Sequence, residues 1–94
     1  MYSKDFILVG SIVGLHGLRG YLKVKSFLEN PKDIFKFGEY FIDKLSFSSI
    51  LLKFNKKSIF ICELSGINSM EEAKNFVKAD IYICRSSLPE TDED

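Results

Sequence analysis

The chain is divided into short apolar runs separated by turn residues, and several runs have the two-residue period of β-strands. The nearly continuous apolar run Phe6–Val13 predicts a strand that is buried on both faces. In the run Tyr21–Leu28, Leu22 and Val24 point to one face, and charged or aromatic residues point to the other. Further strands are predicted at Tyr40–Ile42, within Leu45–Phe54, over Ser58–Leu64 and over Asp80–Cys84.

Turn residues mark the ends of these strands. Proline fixes φ, and asparagine and aspartate tolerate turn geometry, so Glu29–Asp33, with Pro31 at its centre, is predicted to be a turn. The segment Asn55–Lys57 is predicted to connect two strands as a hairpin. We interpret Lys56 and Lys57, at the tip of this hairpin, as charges that favour solubility.

One short helix is predicted near the end of the chain. Ser69 and Glu72 have the spacing of a capping box, in which the hydroxyl accepts from the amide of Glu72 and the carboxylate reaches back. The helix is predicted over Met70–Val77, and at barely two turns it must dock against the sheet to be stable. Its predicted apolar face consists of Met70, Ala73, Phe76 and Val77.

Taken together, these elements predict a mainly β fold. Several short strands with one capping helix favour a single antiparallel β-barrel, which removes exposed sheet edges. The length of 94 residues allows one domain, and 46% hydrophobic residues place the chain among folded globular proteins.

The segment between the first two strands contains three glycines, Gly14, Gly17 and Gly20, together with His16 and Arg19. Glycine suits a backbone with positive φ or one that approaches a neighbour closely, so we predict a tight and shaped loop. A shaped loop on a rigid sheet is a typical binding surface.

Next to this loop the second strand carries a basic and partly aromatic stripe. It would comprise Arg19, Tyr21, Lys23 and Lys25. One interpretation is that the cations bind RNA phosphates while Tyr21 stacks or packs. The other is a plain strand that faces solvent. The sequence leaves both open.

The charge is balanced overall and uneven along the chain. The net charge is zero, so no global field points to nucleic acid or membrane. However, the first 57 residues hold ten Lys and Arg against five Asp and Glu, whereas the remainder holds three against eight. This asymmetry can give one face a basic patch, or both sets can be ordinary solvated faces.

The two cysteines, Cys62 and Cys84, lie in apolar runs that are predicted to be strands. Small buried thiols in a reducing cytoplasm are the simplest interpretation, and a mutual disulfide is the alternative. One histidine and two scattered cysteines lack the paired spacing of a zinc site. The apolar run that follows the first five residues is too short for a signal peptide or a membrane span.

The sequence offers little catalytic chemistry. His16 could act as a general base, but no nucleophile motif and no carboxylate pair accompanies it. We expect His16 to brace its loop through a backbone hydrogen bond or to face a partner. The glycines match neither a phosphate-binding P-loop nor a dinucleotide fingerprint. The GXXG spacing of Gly14–Gly17 occurs in KH domains, but there the loop joins helices.

Four segments, in this order, together resemble a known family: the glycine loop, Leu28–Pro31, Ser65–Ala73 and Arg85–Pro89. The RimM family of bacterial ribosome maturation factors is similar in having a histidine-glycine turn, an acidic or amide-proline turn, a helix start after Gly-Ile or Gly-Val, and a basic residue before Leu-Pro. The resemblance extends from Leu8 to Pro89. One departure is Lys78, where the family usually has glycine.

The resemblance implies a fold and a role. It implies a six-stranded barrel similar to domain II of translation GTPases, over residues 1–87. It also implies a second domain of the PRC-barrel type, so we expect residues 88–94 to be the acidic start of an interdomain linker. The implied function is maturation of the small (30S) ribosomal subunit and processing of 16S rRNA, through binding to a ribosomal protein and rRNA in the head of the subunit.

We therefore expect a cytoplasmic, monomeric, non-enzymatic binding domain with no metal, no cofactor, no small-molecule substrate and no membrane contact. The expected partner is the small ribosomal subunit. Two alternatives remain, a barrel that binds single-stranded RNA as OB folds do and a barrel of the flavin-reductase kind. The residues expected to contact the partner are His16, Arg19, Tyr21, Lys23 and Lys25, with Gly14, Gly17 and Gly20 shaping the loop.

Overall fold

The computed structural model describes residues 5–17 and 19–85 of the chain. Within these residues, seven strands form one antiparallel sheet in the order β4-β3-β7-β1-β2-β6-β5. The predicted mainly β, antiparallel, barrel-like class is therefore confirmed. The strands are β1 (Phe6–His16), β2 (Tyr21–Ser26), β3 (Tyr40–Ile42), β4 (Leu45–Phe47), β5 (Ile50–Lys56), β6 (Ile59–Leu64) and β7 (Asp80–Cys84).

The predicted number of six strands is wrong, because the single strand expected within Leu45–Phe54 is two strands. β4 pairs with β3 as a tight hairpin, whereas β5 pairs with β6. Between β4 and β5 the chain turns at Ser48 and Ser49, whose amides both donate to the hydroxyl of Ser65, at 3.1 and 3.4 Å. The break therefore depends on a residue sixteen positions away, which local periodicity does not reveal.

The first strand is longer than predicted and the second is shorter. β1 extends to His16, so Gly14 lies inside a strand opposite Lys23 and is not part of the connecting loop. The prediction that Gly14 belongs to the loop is therefore wrong. Gly17 and Gly20 do lie in the connection and have positive φ, at 76° and 88°. Residues 17–20 thus connect the two strands of a long ribbon.

The core lies on the concave side of the curled sheet. Buried side chains alternate along β2 and β7, as the two-residue period predicts. In β1 and β6 the alternation is interrupted, since β1 contains register shifts and β6 has three consecutive buried residues. The main members are Val9, Ile12, Leu22, Val24, Ile34, Tyr40, Ile42, Cys62, Leu64, Ile81 and Ile83.

A 3-10 helix at Pro31–Lys36 follows β2, where the sequence predicted only a turn. Ile34 anchors this helix in the core. The hydroxyl of buried Tyr40 donates to the carbonyl of Ile34 at 2.6 Å and accepts from the amide of Phe37 at 3.3 Å. Burial raises the pKa of Tyr40, and the hydrogen bond with Phe37 partly opposes that shift. The helix is thus held by tertiary contacts, which explains why local propensity missed it.

The predicted capping helix is present but shorter and less regular. The α-helix α1 comprises Met70–Ala73, and the chain continues as a 3-10 turn over Lys74–Phe76. The hydroxyl half of the capping box forms, since the amide of Glu72 donates to the hydroxyl of the N-cap residue Ser69 at 3.2 Å. The Glu72 carboxylate reaches back to the amide of Asn68 at 3.0 Å.

The predicted apolar face of this helix is only partly correct. Ala73 and Phe76 are buried in the core and Val77 is half-buried. Met70, however, is exposed, because the α-helix ends after one turn and its first residue lies beyond the rim of the sheet. The helix therefore docks through a narrower contact than its sequence predicted.

Neither Cys62, which is buried, nor Cys84, which is half-buried, is in a disulfide, so the alternative of a mutual disulfide is wrong. In the described part of the chain, no helix combines the length and hydropathy needed to cross a bilayer. The predicted linker, residues 88–94, lies outside the described residues.

Candidate docking surface

The pairing of β1 with β2 determines which side chains reach the convex face of the sheet. Leu15 pairs with Leu22 on the core side. Because neighbours along a strand point to opposite faces, the adjacent pair, His16 opposite Tyr21, points outwards. By the same alternation Lys23 and Lys25 lie on this outer face, opposite Gly14 and Ser11.

A β-bulge in β1 is what turns His16 outwards. The register shifts by one residue between Ile12 and Gly14, so Val13 is the extra residue and is exposed. Without this bulge, strict alternation from buried Ile12 would direct Leu15 outwards and His16 into the core. The bulge therefore exchanges an apolar side chain for an imidazole on the outer face.

The end strand β5 adds an aromatic residue and a cation to this face. The rings of His16 and Phe54 meet edge to face, with centroids 5.1 Å apart. The Lys53 ammonium lies 5.5 Å from the ring centroid of Tyr21 and 3.5 Å from the carboxylate of Glu63. The edge-to-face contact with Phe54 restrains the ring of His16, and the cation–π contact with Lys53 restrains the ring of Tyr21.

Ile61 of β6 forms the floor of this outer cluster. It is fully buried but lies outside the main core, and it pairs with Lys23 on one side and Phe54 on the other. Burial of an apolar side chain on the outer face means that the surrounding side chains cover it. The convex face thus has a small packed cluster of its own, and we call His16, Tyr21, Lys23, Lys25, Lys53 and Phe54 the docking surface.

Arg19 belongs to the turn that borders this surface, and it is exposed. The turn is held by Gly20, which is buried; a Cβ added there would come within 2.6 Å of the carbonyl oxygen of Ser69. The start of α1 therefore packs directly beneath the turn. The expected stripe is not confined to one strand, because Arg19 precedes β2.

The structure places four of the five predicted contact residues, His16, Tyr21, Lys23 and Lys25, on one face along the β1–β2 ribbon, and places Arg19 in the adjoining turn. His16 is at the end of a strand rather than in a loop, and its ring contacts Phe54. The expectation that it makes a backbone hydrogen bond or faces a partner stays a prediction. Sequence reasoning missed Lys53 and Phe54. In the sequence these two residues belong to the mostly apolar run from Leu51 to Phe54, which is typical of a buried strand. They are exposed because β5 is the end strand of the sheet.

The chemistry available on this surface is that of binding. It presents cations next to aromatic and aliphatic side chains, an arrangement suited to phosphate contacts beside apolar contacts. Among the residues that the structure describes, no group of three or more His, Cys, Asp or Glu could hold a metal ion.

Fold and surface together define a small domain in which one curled, antiparallel β-sheet of the barrel-like class carries a basic and aromatic outer face. A family model described as the RimM N-terminal domain matches residues 7–88. The chain belongs to the RimM family, in agreement with the resemblance found in the sequence.

Curated relatives support this assignment. The chain is 33% identical over 93 residues to the "Ribosome maturation factor RimM" of Maricaulis maris, covering 98% of this chain and 50% of the relative. It is 33% identical over 96 residues to the protein of the same name from Aliivibrio fischeri, covering 98% and 54%. The chain thus spans about half the length of the curated relatives it matches.

Solved structures support the fold. A crystal structure of a 16S ribosomal RNA processing protein RimM from Pseudomonas aeruginosa matches with a TM-score of 0.78 and 27% identity, over 90% of this chain and 54% of that one. The solution structure of the N-terminal domain of RimM from Thermus thermophilus matches with a TM-score of 0.68 over 90% of this chain and 95% of that one. At 14% identity the second likeness concerns the fold alone.

Proposed function

We propose that this domain docks a ribosome maturation factor onto the small ribosomal subunit while the subunit is being assembled, and so assists 16S rRNA processing. Family membership supports this role, as do the names of the relatives, which are ribosome maturation factors. The partner sites we propose are rRNA and a ribosomal protein in the head of the subunit. The domain acts in the cytoplasm as a monomer and as a binding element without chemistry of its own.

The single observation that carries the proposal is the prearranged docking surface. Lys23 and Lys25 project from a rigid strand, and Arg19 projects from the adjoining turn. Side chains on a fixed backbone lose little freedom on binding, so more of their contact energy appears as affinity. Binding that favours the correctly folded head over its alternatives would shift the population of assembling subunits toward that fold.

The cations on this surface have different roles. Lys53 lies over Tyr21 and is paired with Glu63, so its charge is partly offset and its position restrained. We assign phosphate contacts to Arg19 and Lys23, and we assign the apolar contacts with the partner to Phe54, which is 43% exposed. Tyr21, whose ring Lys53 approaches, serves as packing within the surface rather than as a stacking platform.

Reversing the charge of two of these residues tests the proposal. In the 94-residue chain, Arg19→Glu with Lys23→Glu should weaken binding to purified immature small subunits by at least about tenfold. It should also flatten the salt dependence of the affinity, because fewer counterions are released from rRNA. Co-sedimentation across a salt series measures both quantities.

A matched control separates the effect on affinity of where the charges lie from the effect of the change in net charge. Lys74→Glu with Lys78→Glu changes the charge by the same amount, at exposed positions away from the docking surface. This variant should retain most of the affinity. Equal losses in the two double variants, or none in either, would remove the docking surface from the mechanism.

A further inference from the structure

A second cationic feature lies at the other end of β2, away from the glycine turn. There the end of β2, the start of the 3-10 helix Pro31–Lys36 and the β5–β6 hairpin enclose an open cleft of about 370 Å³. Two regions that are distant in the sequence, residues 25–32 and 55–60, converge on it. Its lining residues are Lys25, Ser26, Asn30, Pro31, Lys32, Asn55, Lys57, Ser58 and Phe60.

The polar lining of this cleft is suited to an anion. It includes three lysines, and its other polar side chains are two asparagines and two serines, all of which can donate hydrogen bonds. None of the lining residues is an aspartate or glutamate. The neighbouring carboxylate of Asp33 is engaged by Lys36, with a nitrogen–oxygen distance of 3.0 Å. The side chains that line the cleft therefore carry a net positive charge although the chain as a whole is neutral.

Phosphate is the anion that best matches this set of groups. Lysine ammonium groups bind phosphate as point charges from several directions, and hydroxyl and amide groups can complete its hydrogen bonds. The cleft is wide and open on one side, and it includes the apolar groups of Pro31 and Phe60. A phosphodiester within a continuous chain can enter such an open cleft without losing its neighbours.

We propose that this cleft, with Lys25, Lys32 and Lys57 as its cations, holds a backbone phosphate of RNA. The proposal rests on the proposed function, because Lys25 belongs both to the docking surface and to the cleft. One RNA strand that follows β2 would contact Arg19 and Lys23 near the turn and would reach the cleft at the far end. Lys57 is then a binding residue, not only the solubility feature that its hairpin position suggested.

Neutralising the two lysines that belong to the cleft alone provides the test. Lys32→Gln with Lys57→Gln should weaken binding of the 94-residue chain to small ribosomal subunits by about tenfold. The slope of log affinity against log salt should become shallower by about 1 to 2. The matched control is Lys56→Gln with Lys74→Gln, which removes the same charge from exposed positions outside the cleft and leaves the Lys36–Asp33 pair intact.

A titration by nuclear magnetic resonance identifies the source of the phosphate. A short oligouridine and inorganic phosphate are added separately to the labelled chain at low salt. We expect the oligouridine to shift the amide signals of Ser26, Asn30 and Ser58, and we expect the Lys32→Gln, Lys57→Gln variant to lose these shifts. Shifts with inorganic phosphate and none with the oligonucleotide would instead define a small-anion site and overturn the proposal for RNA.

The two proposals fail in different ways. If the wild-type chain binds subunits and the cleft and control variants bind equally well, the cleft proposal is wrong and the docking proposal stands. If the wild-type chain does not bind subunits, the docking proposal is wrong. Oligouridine shifts that depend on Lys32 and Lys57 would then still support the cleft as an RNA phosphate site, and their absence would overturn it.

Discussion

At the scale of single residues, Cys62 shows how burial alone changes the chemistry of a side chain. Its thiol is fully buried in the core, on β6 opposite Leu22. Burial disfavours the thiolate and raises the pKa of Cys62 from 9.0 to about 12. The thiol is therefore inert in the folded protein, in contrast to the reactive cysteines of redox and catalytic sites.

The raised pKa predicts a loss of stability at alkaline pH. Between pH 9 and 12 the unfolded chain releases the Cys62 proton while the folded chain keeps it, so the stabilising contribution is complete below pH 9 and is lost as pH rises. From pH 8 to pH 10 this residue alone should reduce the free energy of unfolding by about 1.4 kcal/mol. Urea denaturation at the two pH values measures the change.

Two alanine variants isolate the residue responsible. Cys62→Ala should lower stability at both pH values but should lose about 1.4 kcal/mol less than wild type between them. Val24→Ala, which also truncates a buried core side chain but removes no titratable group, should keep the full pH dependence. The pKa of Tyr40 is raised mainly by burial, which is the same in all three proteins, and only the smaller coulombic influence of Cys62 on Tyr40 is lost in Cys62→Ala. An unchanged pH dependence in Cys62→Ala would contradict the assignment.

At the scale of elements, the connection from the 3-10 turn to β7 contains a strained residue. Lys78 has a φ of 75°, and its amide donates to the carbonyl of Ile12 at 2.7 Å. A side chain in the left-handed region costs about 1–2 kcal/mol, and the hydrogen bond holds the backbone there. Family resemblance drew attention to this position, and the structure shows that it adopts the conformation that glycine favours.

Lys78→Gly should therefore stabilise the domain. The relief of backbone strain is offset in part by the greater freedom of glycine in the unfolded chain, which leaves a net gain of about 0.5–1 kcal/mol. Lys78→Ala removes the same charge and keeps a Cβ, so it should give no such gain. Thermal unfolding of the three proteins tests this, and a gain of equal size in both variants would point to charge rather than strain.

The elements that sequence predicted well are those determined by local pattern. β2 alternates strictly, so its faces and the grouping of Tyr21, Lys23 and Lys25 follow from spacing alone. The capping box likewise depends on neighbours three positions apart, and its hydroxyl contact forms as predicted. In both cases the decisive interactions are local.

The features that sequence missed are determined by distant residues. The division between β4 and β5 depends on the Ser65 hydroxyl, and the 3-10 helix depends on Tyr40. The bulge at Val13 moves the side chain of His16 from the core face to the outer face of the sheet, and the local sequence pattern does not predict this bulge. Phe54 joins the docking surface only because β5 is an end strand. For the docking surface, therefore, sequence identified the basic strand but not its aromatic partner.

At the scale of the whole molecule, the docking surface and the core meet at the glycine turn. Gly20 is buried against the backbone of Ser69, which also caps α1. The capping helix, the β1–β2 turn and Arg19 are thus joined through one backbone contact. The position of the turn relative to the sheet depends on that contact, and the position of Arg19 depends on the turn.

Comparing two glycines of this turn tests that dependence. Gly17 has positive φ but open space where a Cβ would lie, so Gly17→Ala should cost about 1–2 kcal/mol from backbone strain alone. Gly20→Ala combines similar strain with a contact of 2.6 Å to the Ser69 carbonyl oxygen, and overpacking adds about 1–3 kcal/mol. Denaturation followed by circular dichroism measures both losses.

The difference between the two variants measures the steric contact, because the strain is common to both. If Gly20→Ala folds, the clash should displace α1 from the turn, so its amides should exchange hydrogen faster than in Gly17→Ala. If Gly20→Ala does not fold while Gly17→Ala does, the free-energy cost of the steric contact exceeds the free energy of unfolding of the domain. Equal losses in the two variants would mean that the turn and the helix are independent, and the docking surface would then not depend on the helix for its shape.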